Sequence, residues 1–126
     1  MQNRPKILII DDDVDLVAMM KGVLESKHYN VVSAYNGQEG LEKARKERPA
    51  LIILDIMMPV MDGWTFADQF NKDAAISKIP VVALTSYSDS LGQPVPFEVA
   101  GFVRKPIKPK ELVSLVEDYL KRAGLS

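Results

Sequence analysis

Short apolar runs alternate with amphipathic stretches along this chain, and the alternation predicts an α/β fold. The apolar runs are Ile7–Ile10, Val31–Ala34, Leu51–Leu54, Val81–Leu84 and Phe102–Val103. The first, third and fourth runs are apolar at every position, which is typical of parallel strands covered on both faces. The second and fifth runs are weaker, and we expect them to lie nearer the edges of the sheet.

Stretches with apolar residues at helical spacing separate these runs. The predicted helices are Val14–Lys27, Gly37–Glu47, Trp64–Asn71 and Lys108–Lys121. Strands that alternate with helices favour a parallel sheet with helices on both faces, and right-handed crossovers make it doubly wound. We therefore predict a doubly wound, five-stranded parallel sheet with helices on both faces. The length of 126 residues fits one domain over residues 1–126.

One connection departs from this pattern. Between the fourth and fifth runs a further helix is expected, but the segment contains Gly92, Pro94 and Pro96. A proline inside a helix costs about 3 kcal/mol or more, although it is tolerated in the first turn. We therefore predict a shortened or irregular fourth helix, beginning near Pro96 if one forms.

The composition excludes several kinds of site. The absence of cysteine excludes disulfides, thiolate metal sites and cysteine nucleophiles, and the single histidine, His28, leaves little for a catalytic triad. We interpret His28 as structural or solvated. A net charge of -1 argues against a general affinity for nucleic acid or anionic lipid. The apolar runs are far shorter than the roughly 20 residues of a membrane helix, so we expect no membrane span and a cytoplasmic location.

Polar and charged residues follow four of the five strands, at the point where each strand ends. These groups are Asp11-Asp12-Asp13, Asp55, Thr85-Ser86 and Arg104-Lys105-Pro106. In an open parallel sheet the carboxyl ends of the strands meet at one edge, and ligands bind there. The sequence therefore predicts a polar site that combines carboxylates, a hydroxyl and an amine.

This combination of groups suits phosphoryl chemistry. Clustered carboxylates repel one another, and a hard divalent cation such as Mg²⁺ offsets the repulsion. A lysine and a hydroxyl would bind the phosphoryl oxygens that the metal leaves free, and a carboxylate is the expected acceptor. Each signal alone is weak: Asp13 is equally well explained as a helix N-cap, and a lone threonine or lysine is commonly structural or solvated.

The order and spacing of four motifs resemble the receiver domain of two-component response regulators, over essentially the whole chain. The motifs are Ile7-Leu8-Ile9-Ile10-Asp11-Asp12-Asp13, Leu54-Asp55-Ile56-Met57-Met58-Pro59 with Met61-Asp62-Gly63, Pro80-Val81-Val82-Ala83-Leu84-Thr85-Ser86, and Arg104-Lys105-Pro106. The resemblance implies a flavodoxin-like sheet with strand order 2-1-3-4-5. It also implies a phosphorylation-controlled signalling switch rather than an enzyme with its own substrate.

The resemblance also implies the metal site. Asp55 corresponds to the phosphoacceptor and, with Asp12, to a direct Mg²⁺ ligand. Asp11 corresponds to a ligand that acts through water, and the backbone carbonyl of Met57 to the third protein ligand. Mg²⁺ is therefore the expected cofactor.

Three further positions match the family's switch and charge-pairing residues. Thr85 corresponds to the switch hydroxyl and Phe102 to the switch aromatic residue. Lys105 corresponds to the lysine that pairs with the phosphoryl oxygens, and a cis bond is frequent at the position of Lys105-Pro106. The implied partners are a sensor histidine kinase or phosphotransfer protein and an unidentified downstream protein. The irregular fourth helix favours a monomer or weak dimer.

Two alternative functions remain open from the sequence. One is an aspartate-based phosphohydrolase, which would require an acid two residues after Asp55, where this chain has Met57. The other is a binding module that ignores phosphorylation. Incubation with Mg²⁺ and a small phosphodonor, followed by intact mass measurement, is the experiment that would most reduce the uncertainty.

Overall fold

The structure is a computed structural model that describes residues 5–55, 63–85, 101–122 and 124. For residues 63, 64, 67, 85 and 102 the description is limited to the backbone. The predicted fourth helix falls between residues 86 and 100, so that prediction lies outside the described residues.

Five strands form one parallel sheet in the order β2-β1-β3-β4-β5, as predicted. The strands are β1 (Lys6–Ile10), β2 (Asn30–Ala34), β3 (Leu51–Asp55), β4 (Val81–Thr85) and β5 (Gly101–Arg104). β3 is central and buried along its whole length, because every residue before its final aspartate is apolar. The two weaker runs form the edge strands β2 and β5, which confirms their predicted position.

Four helices lie in the described part of the chain: α1 (Val14–Ser26), α2 (Gly37–Glu47), α3 (Gly63–Lys72) and α4 (Pro109–Arg122). Their bounds agree with the predicted helices to within about a residue at each end. None of the helices in the described ranges is long and apolar enough to cross a membrane.

The helices cover both faces of the sheet and form two hydrophobic layers. In β1, Leu8 and Ile10 face the layer that contains α2 and α3. The neighbouring residues Ile7 and Ile9 face the layer that contains α1 and α4. Because strand side chains alternate between faces, a strand covered on both sides must be apolar throughout. This arrangement leaves the carboxyl ends of the strands as the place where polar groups can gather.

Candidate functional site

The carboxyl edge of the sheet brings together three charged side chains that are far apart in sequence. Asp11 follows β1, Asp55 ends β3 and Lys105 follows β5. The Lys105 Nζ donates a hydrogen bond of 3.2 Å to Asp55 Oδ2 and lies 3.1 Å from Asp11 Oδ2. The two carboxylates are almost completely buried, whereas the Lys105 side chain keeps 22% of its surface exposed. The site is therefore a recessed acidic pair with one cation at its rim.

Asp11 has no exposed surface, and its environment is unusual for a carboxylate. Oδ1 accepts a hydrogen bond of 3.0 Å from the Asp13 backbone N–H. Oδ2 accepts none from the part of the chain that the structure describes, because its contact with Lys105 is an ion pair without hydrogen-bond geometry. Burial raises the pKa of Asp11, and repulsion by Asp55 adds to this effect, although the Asp13 N–H and Lys105 oppose it.

The charge of Lys105 is stabilised by its acidic neighbours. Burial alone would lower the pKa of the ammonium group, but the interactions with Asp11 and Asp55 outweigh burial and raise it. Lys105 therefore remains charged at neutral pH and supplies a fixed positive charge next to both carboxylates. The Lys105–Pro106 peptide bond is cis, as the resemblance implies.

The two aspartates that follow Asp11 have different surroundings. Asp12 is exposed, and one of its carboxylate oxygens lies within 4.8 Å of an oxygen of Asp11 and of Asp55. Asp13 caps α1: its Oδ1 accepts a hydrogen bond of 3.1 Å from the Leu16 N–H. The structure thus resolves the ambiguity of Asp13 in favour of the N-cap, and it groups Asp12 with the site.

The residues that are present fit a divalent metal ion. Asp11, Asp12 and Asp55 each offer one oxygen, and these oxygens all lie within 4.8 Å of one another. The buried Asp11 Oδ2 has no hydrogen-bond donor among the described residues, so it retains the capacity to bind a cation or an ordered water. A cluster of three carboxylates with a single lysine also carries excess negative charge, which favours a hard cation.

Gly40 is not among the predicted site residues, but it supports the end of β1. A Cβ atom at Gly40 of α2 would lie 2.5 Å from Cδ1 of Ile10, the residue that precedes Asp11. Without a side chain at position 40, α2 can pack closely against the end of β1. A glycine inside a helix costs about 1 kcal/mol relative to alanine. Its presence inside a predicted helix is therefore the sequence signal that could have indicated a close contact at Gly40.

The remaining predicted residues are only partly placed. Thr85 ends β4 opposite Arg104, and Phe102 is the second residue of β5, opposite Ala83. Their predicted switch roles depend on side chains and stay predictions. Met57, the predicted carbonyl ligand, lies outside the described residues. His28 is exposed and follows α1 at the opposite end of the molecule from the acidic pair.

Comparisons with known proteins agree with the geometry. Residues 7–117 match the family model of the response regulator receiver domain. A probable transcriptional regulator, ycf27 of Pyropia yezoensis, is 34% identical over 122 residues, which are 95% of this chain and 49% of the relative. The chain thus spans about half the length of this curated relative.

Solved structures show the same likeness across nearly the whole chain. A putative response regulator from Chloroflexus aurantiacus has a TM-score of 0.84 at 30% identity, covering 95% of this chain and all of that one. The chemotaxis response regulator CheY4 of Vibrio cholerae has a TM-score of 0.85 at 28% identity, covering 94% of this chain and all of that one. Receiver domains are signalling domains, and the family generally binds Mg²⁺ at an acidic pocket. The chain therefore belongs to the receiver domain family of response regulators, in which phosphorylation controls a signalling switch.

Proposed function

We propose that Asp55 accepts a phosphoryl group and that the resulting acyl phosphate sets the signalling state of this receiver domain. The observation that carries the proposal is the hydrogen bond of 3.2 Å from Lys105 Nζ to Asp55 Oδ2 beside buried Asp11. The lysine places a positive charge where a phosphoryl group on Asp55 would carry its negative oxygens. Such preorganised charge is a large source of rate acceleration in phosphoryl transfer.

The proposed donor is the phosphohistidine of a sensor histidine kinase or phosphotransfer protein. A carboxylate oxygen of Asp55 attacks phosphorus while the bond from phosphorus to the imidazole nitrogen breaks. The electron pair of that bond goes to the nitrogen, so no other reactant is needed. Lys105 stabilises the charge on the transferring group, and the recessed position of Asp55 limits the access of water.

Asp11, Asp12 and Asp55, with the Met57 backbone carbonyl, are the residues proposed to hold Mg²⁺. When bound, the ion would neutralise charge on the carboxylates and on the phosphoryl oxygens. The Oδ2 of Asp11 supports this assignment: it forms an ion pair with Lys105 but accepts no hydrogen bond from the described residues, so it could act on the ion directly or through water.

Thr85 and Phe102 are proposed to transmit the phosphorylation state, from the end of β4 and from the second residue of the adjacent strand β5. The downstream effect is proposed to be a change in protein contacts, in a monomer or weak dimer, without direct binding to nucleic acid or membrane. A cytoplasmic location remains a prediction from the composition.

Intact mass measurement after incubation with Mg²⁺ and acetyl phosphate tests the assignment. The wild-type protein should gain one phosphoryl group, and the Asp55→Asn variant should gain none. Asp73→Asn is the matched control, because Asp73 is an ion-paired aspartate remote from the site. Equal labelling of the Asp55→Asn variant would contradict the role of Asp55, and no labelling of the wild type would contradict the proposed function itself.

A further inference from the structure

The first residue of β5 has no room for a side chain, because a tyrosine already fills the space. A Cβ atom at Gly101 would overlap the hydroxyl oxygen of Tyr119 and would lie 3.0 Å from its Cζ. The backbone of Gly101 does not have a positive φ, so its conformation is open to any residue. A side chain at residue 101 would therefore require Tyr119 or β5 to shift, although the backbone conformation itself would accept one.

Tyr119 belongs to α4 and connects its surface to the core. Its half-buried ring packs on the hydrophobic layer shared by α1 and α4, together with Val103 of β5. On the outer side the guanidinium carbon of Arg122 lies 4.9 Å from the ring centroid, and Arg122 forms an ion pair of 2.9 Å with Asp118. The ring is thus held between α4 and the start of β5.

A second contact holds the same segment at its other end. Ile107 is buried in the layer that contains Leu112 and Val116 of α4. Lys105 lies between the two anchor points, Gly101 and Ile107. Within the described residues β5 is an edge strand that pairs with β4 alone, so contacts such as those of Gly101 with Tyr119 and of Ile107 with the α4 layer add to its support on this face.

From this arrangement we propose that Tyr119 is a positioning residue for Lys105. By filling the space at Gly101 it fixes where β5 lies on α4, and β5 delivers the Lys105 ammonium group to Asp11 and Asp55. The inference deepens the proposed function and depends on it for the role of Lys105. A displacement of about 1 Å can cost up to about 100-fold in rate, so a short strand held at both ends would preserve efficient transfer.

The first test enlarges residue 101 and then makes room for it. Gly101→Ala should slow phosphorylation by acetyl phosphate about tenfold without changing the affinity for Mg²⁺, because Asp11, Asp12 and Asp55 are not on β5. Tyr119→Phe removes the overlapping oxygen, so the double variant should recover part of the lost rate. Gly22→Ala is the matched control, because a Cβ at Gly22 meets nothing within 4 Å. A Gly101→Ala rate equal to that of Gly22→Ala, or no recovery in the double variant, would overturn the proposal.

The second test asks whether the effect passes through Lys105. In the Lys105→Met background, Gly101→Ala should change the residual phosphorylation rate by less than twofold. A tenfold loss that persists there would show a general structural defect and overturn the proposal. All rates are compared at a temperature where circular dichroism shows each variant to be folded.

A third measurement does not depend on phosphorylation. In chemical denaturation, the effects of Gly101→Ala and Lys105→Met on the unfolding midpoint should be non-additive if β5 carries one residue's displacement to the other. Additive midpoint shifts would overturn the positioning role even if phosphorylation occurs. If the wild type is not phosphorylated but the shifts are non-additive, the role of Asp55 fails while the coupling of Tyr119 to Lys105 is upheld.

Discussion

Both ends of the sheet carry ion pairs, but the two ends differ in how these pairs are solvated. At the carboxyl end, Asp11 and Asp55 are buried around one lysine. At the opposite end, Lys6 pairs with Glu47 at 2.8 Å and Arg45 with Asp73 at 2.7 Å, with 24–47% of each side chain exposed. Both ends use the same kinds of charged group, but at the carboxyl end two buried carboxylates share one lysine, whereas the pairs at the opposite end are one-to-one and open to water.

The pKa values of the carboxyl groups record this difference. Hydrogen bonds from Lys6 and from Arg45 lower the pKa of Glu47 and Asp73, respectively. At Asp11 burial outweighs the same kind of attraction, and the pKa is raised. The exposed pairs are satisfied, and surface pairs of this kind contribute little to stability. The buried Asp11 keeps an oxygen that accepts no hydrogen bond from the described residues, and Asp55 repels it; a bound cation can relieve both.

The largest effect is expected on Mg²⁺ affinity, and it should differ between substitutions at the adjacent residues Asp12 and Asp13. Asp12→Asn should weaken Mg²⁺ binding about 100-fold, because even residues that only support a metal ligand contribute 10–100-fold to affinity. Asp13→Asn should leave the Mg²⁺ affinity within about twofold, because Asp13 caps α1 and asparagine is an equally good N-cap. Isothermal titration calorimetry measures both variants.

Two results for Asp12→Asn and Asp13→Asn would contradict this expectation. If both substitutions weaken Mg²⁺ binding equally, net charge at the edge controls affinity and the geometry of Asp12 does not. If neither substitution matters, the carboxylate cluster is not a metal site. The free energy of unfolding serves as the check that both variants are folded.

Much of this comparison could be predicted from sequence, because it depends on simple periodicities. β3 reads as a buried strand since Leu51–Leu54 is apolar at every position, and Asp55 directly follows it. The rule that parallel strands share their carboxyl edge then brings Asp55 together with Asp11 and Lys105 across more than forty residues of sequence. Three charged residues of the proposed site thus follow from strand order alone.

The parts that were not predicted depend on contacts between distant elements. The sequence allows Asp13 to be a ligand or a cap, and only the hydrogen bond from Leu16 N–H decides. Whether Asp11 Oδ2 accepts a hydrogen bond from Lys105 or only forms an ion pair with it depends on the direction of the ammonium group. The packing of Tyr119 against Gly101 joins a helix and a strand through side-chain shape, which leaves no periodic signal in the sequence.

The second prediction is that removing the charge of Asp11 stabilises the folded protein instead of destabilising it. Asp11→Asn should raise the free energy of unfolding at pH 7 by about 1–2 kcal/mol in the absence of Mg²⁺, because it removes a buried charge that Asp55 repels and whose Oδ2 accepts no hydrogen bond from the described residues. The pKa of Asp11 is higher in the folded state than in the unfolded state, where it is about 3.9. The wild type therefore loses stability as the pH rises from about 3.9 through the raised pKa of the folded state. The advantage of the variant should therefore disappear at pH values below about 4.

The matched substitution at the opposite end should have the opposite sign. Asp73→Asn should lower stability at pH 7, because the pKa of Asp73 is lowered and its contribution is lost only as pH falls through that value. Denaturation by urea between pH 3 and pH 8 measures both variants. If Asp11→Asn is also destabilising at pH 7, attraction by Lys105 outweighs burial and the contrast between the two ends does not hold.

The smallest expected effect is on the free energy of unfolding, from a substitution at the opposite end of the sheet, where α1 ends. His28 has a φ of 72°, in the left-handed region that glycine adopts without strain. The N–H groups of His28 and Tyr29 donate to the carbonyls of Glu25 and Leu24, the hydrogen-bond pattern that ends many helices at a glycine. His28→Gly should therefore raise the free energy of unfolding by about 0.5–1 kcal/mol, since relief of left-handed strain outweighs the added chain entropy.

Lys27→Gly is the control for this last substitution, because Lys27 has a φ of -99° and gains nothing from glycine. It should destabilise the protein, while neither variant should alter Mg²⁺ affinity or the rate of phosphorylation, because both positions lie at the far end of the sheet. A stabilising effect of both substitutions would mean that the gain does not come from relief of the left-handed backbone at His28, because added chain entropy in the unfolded state can only destabilise. A change in phosphorylation rate in His28→Gly would show instead that the end of α1 is coupled to the acidic edge, and the two ends could no longer be treated as independent.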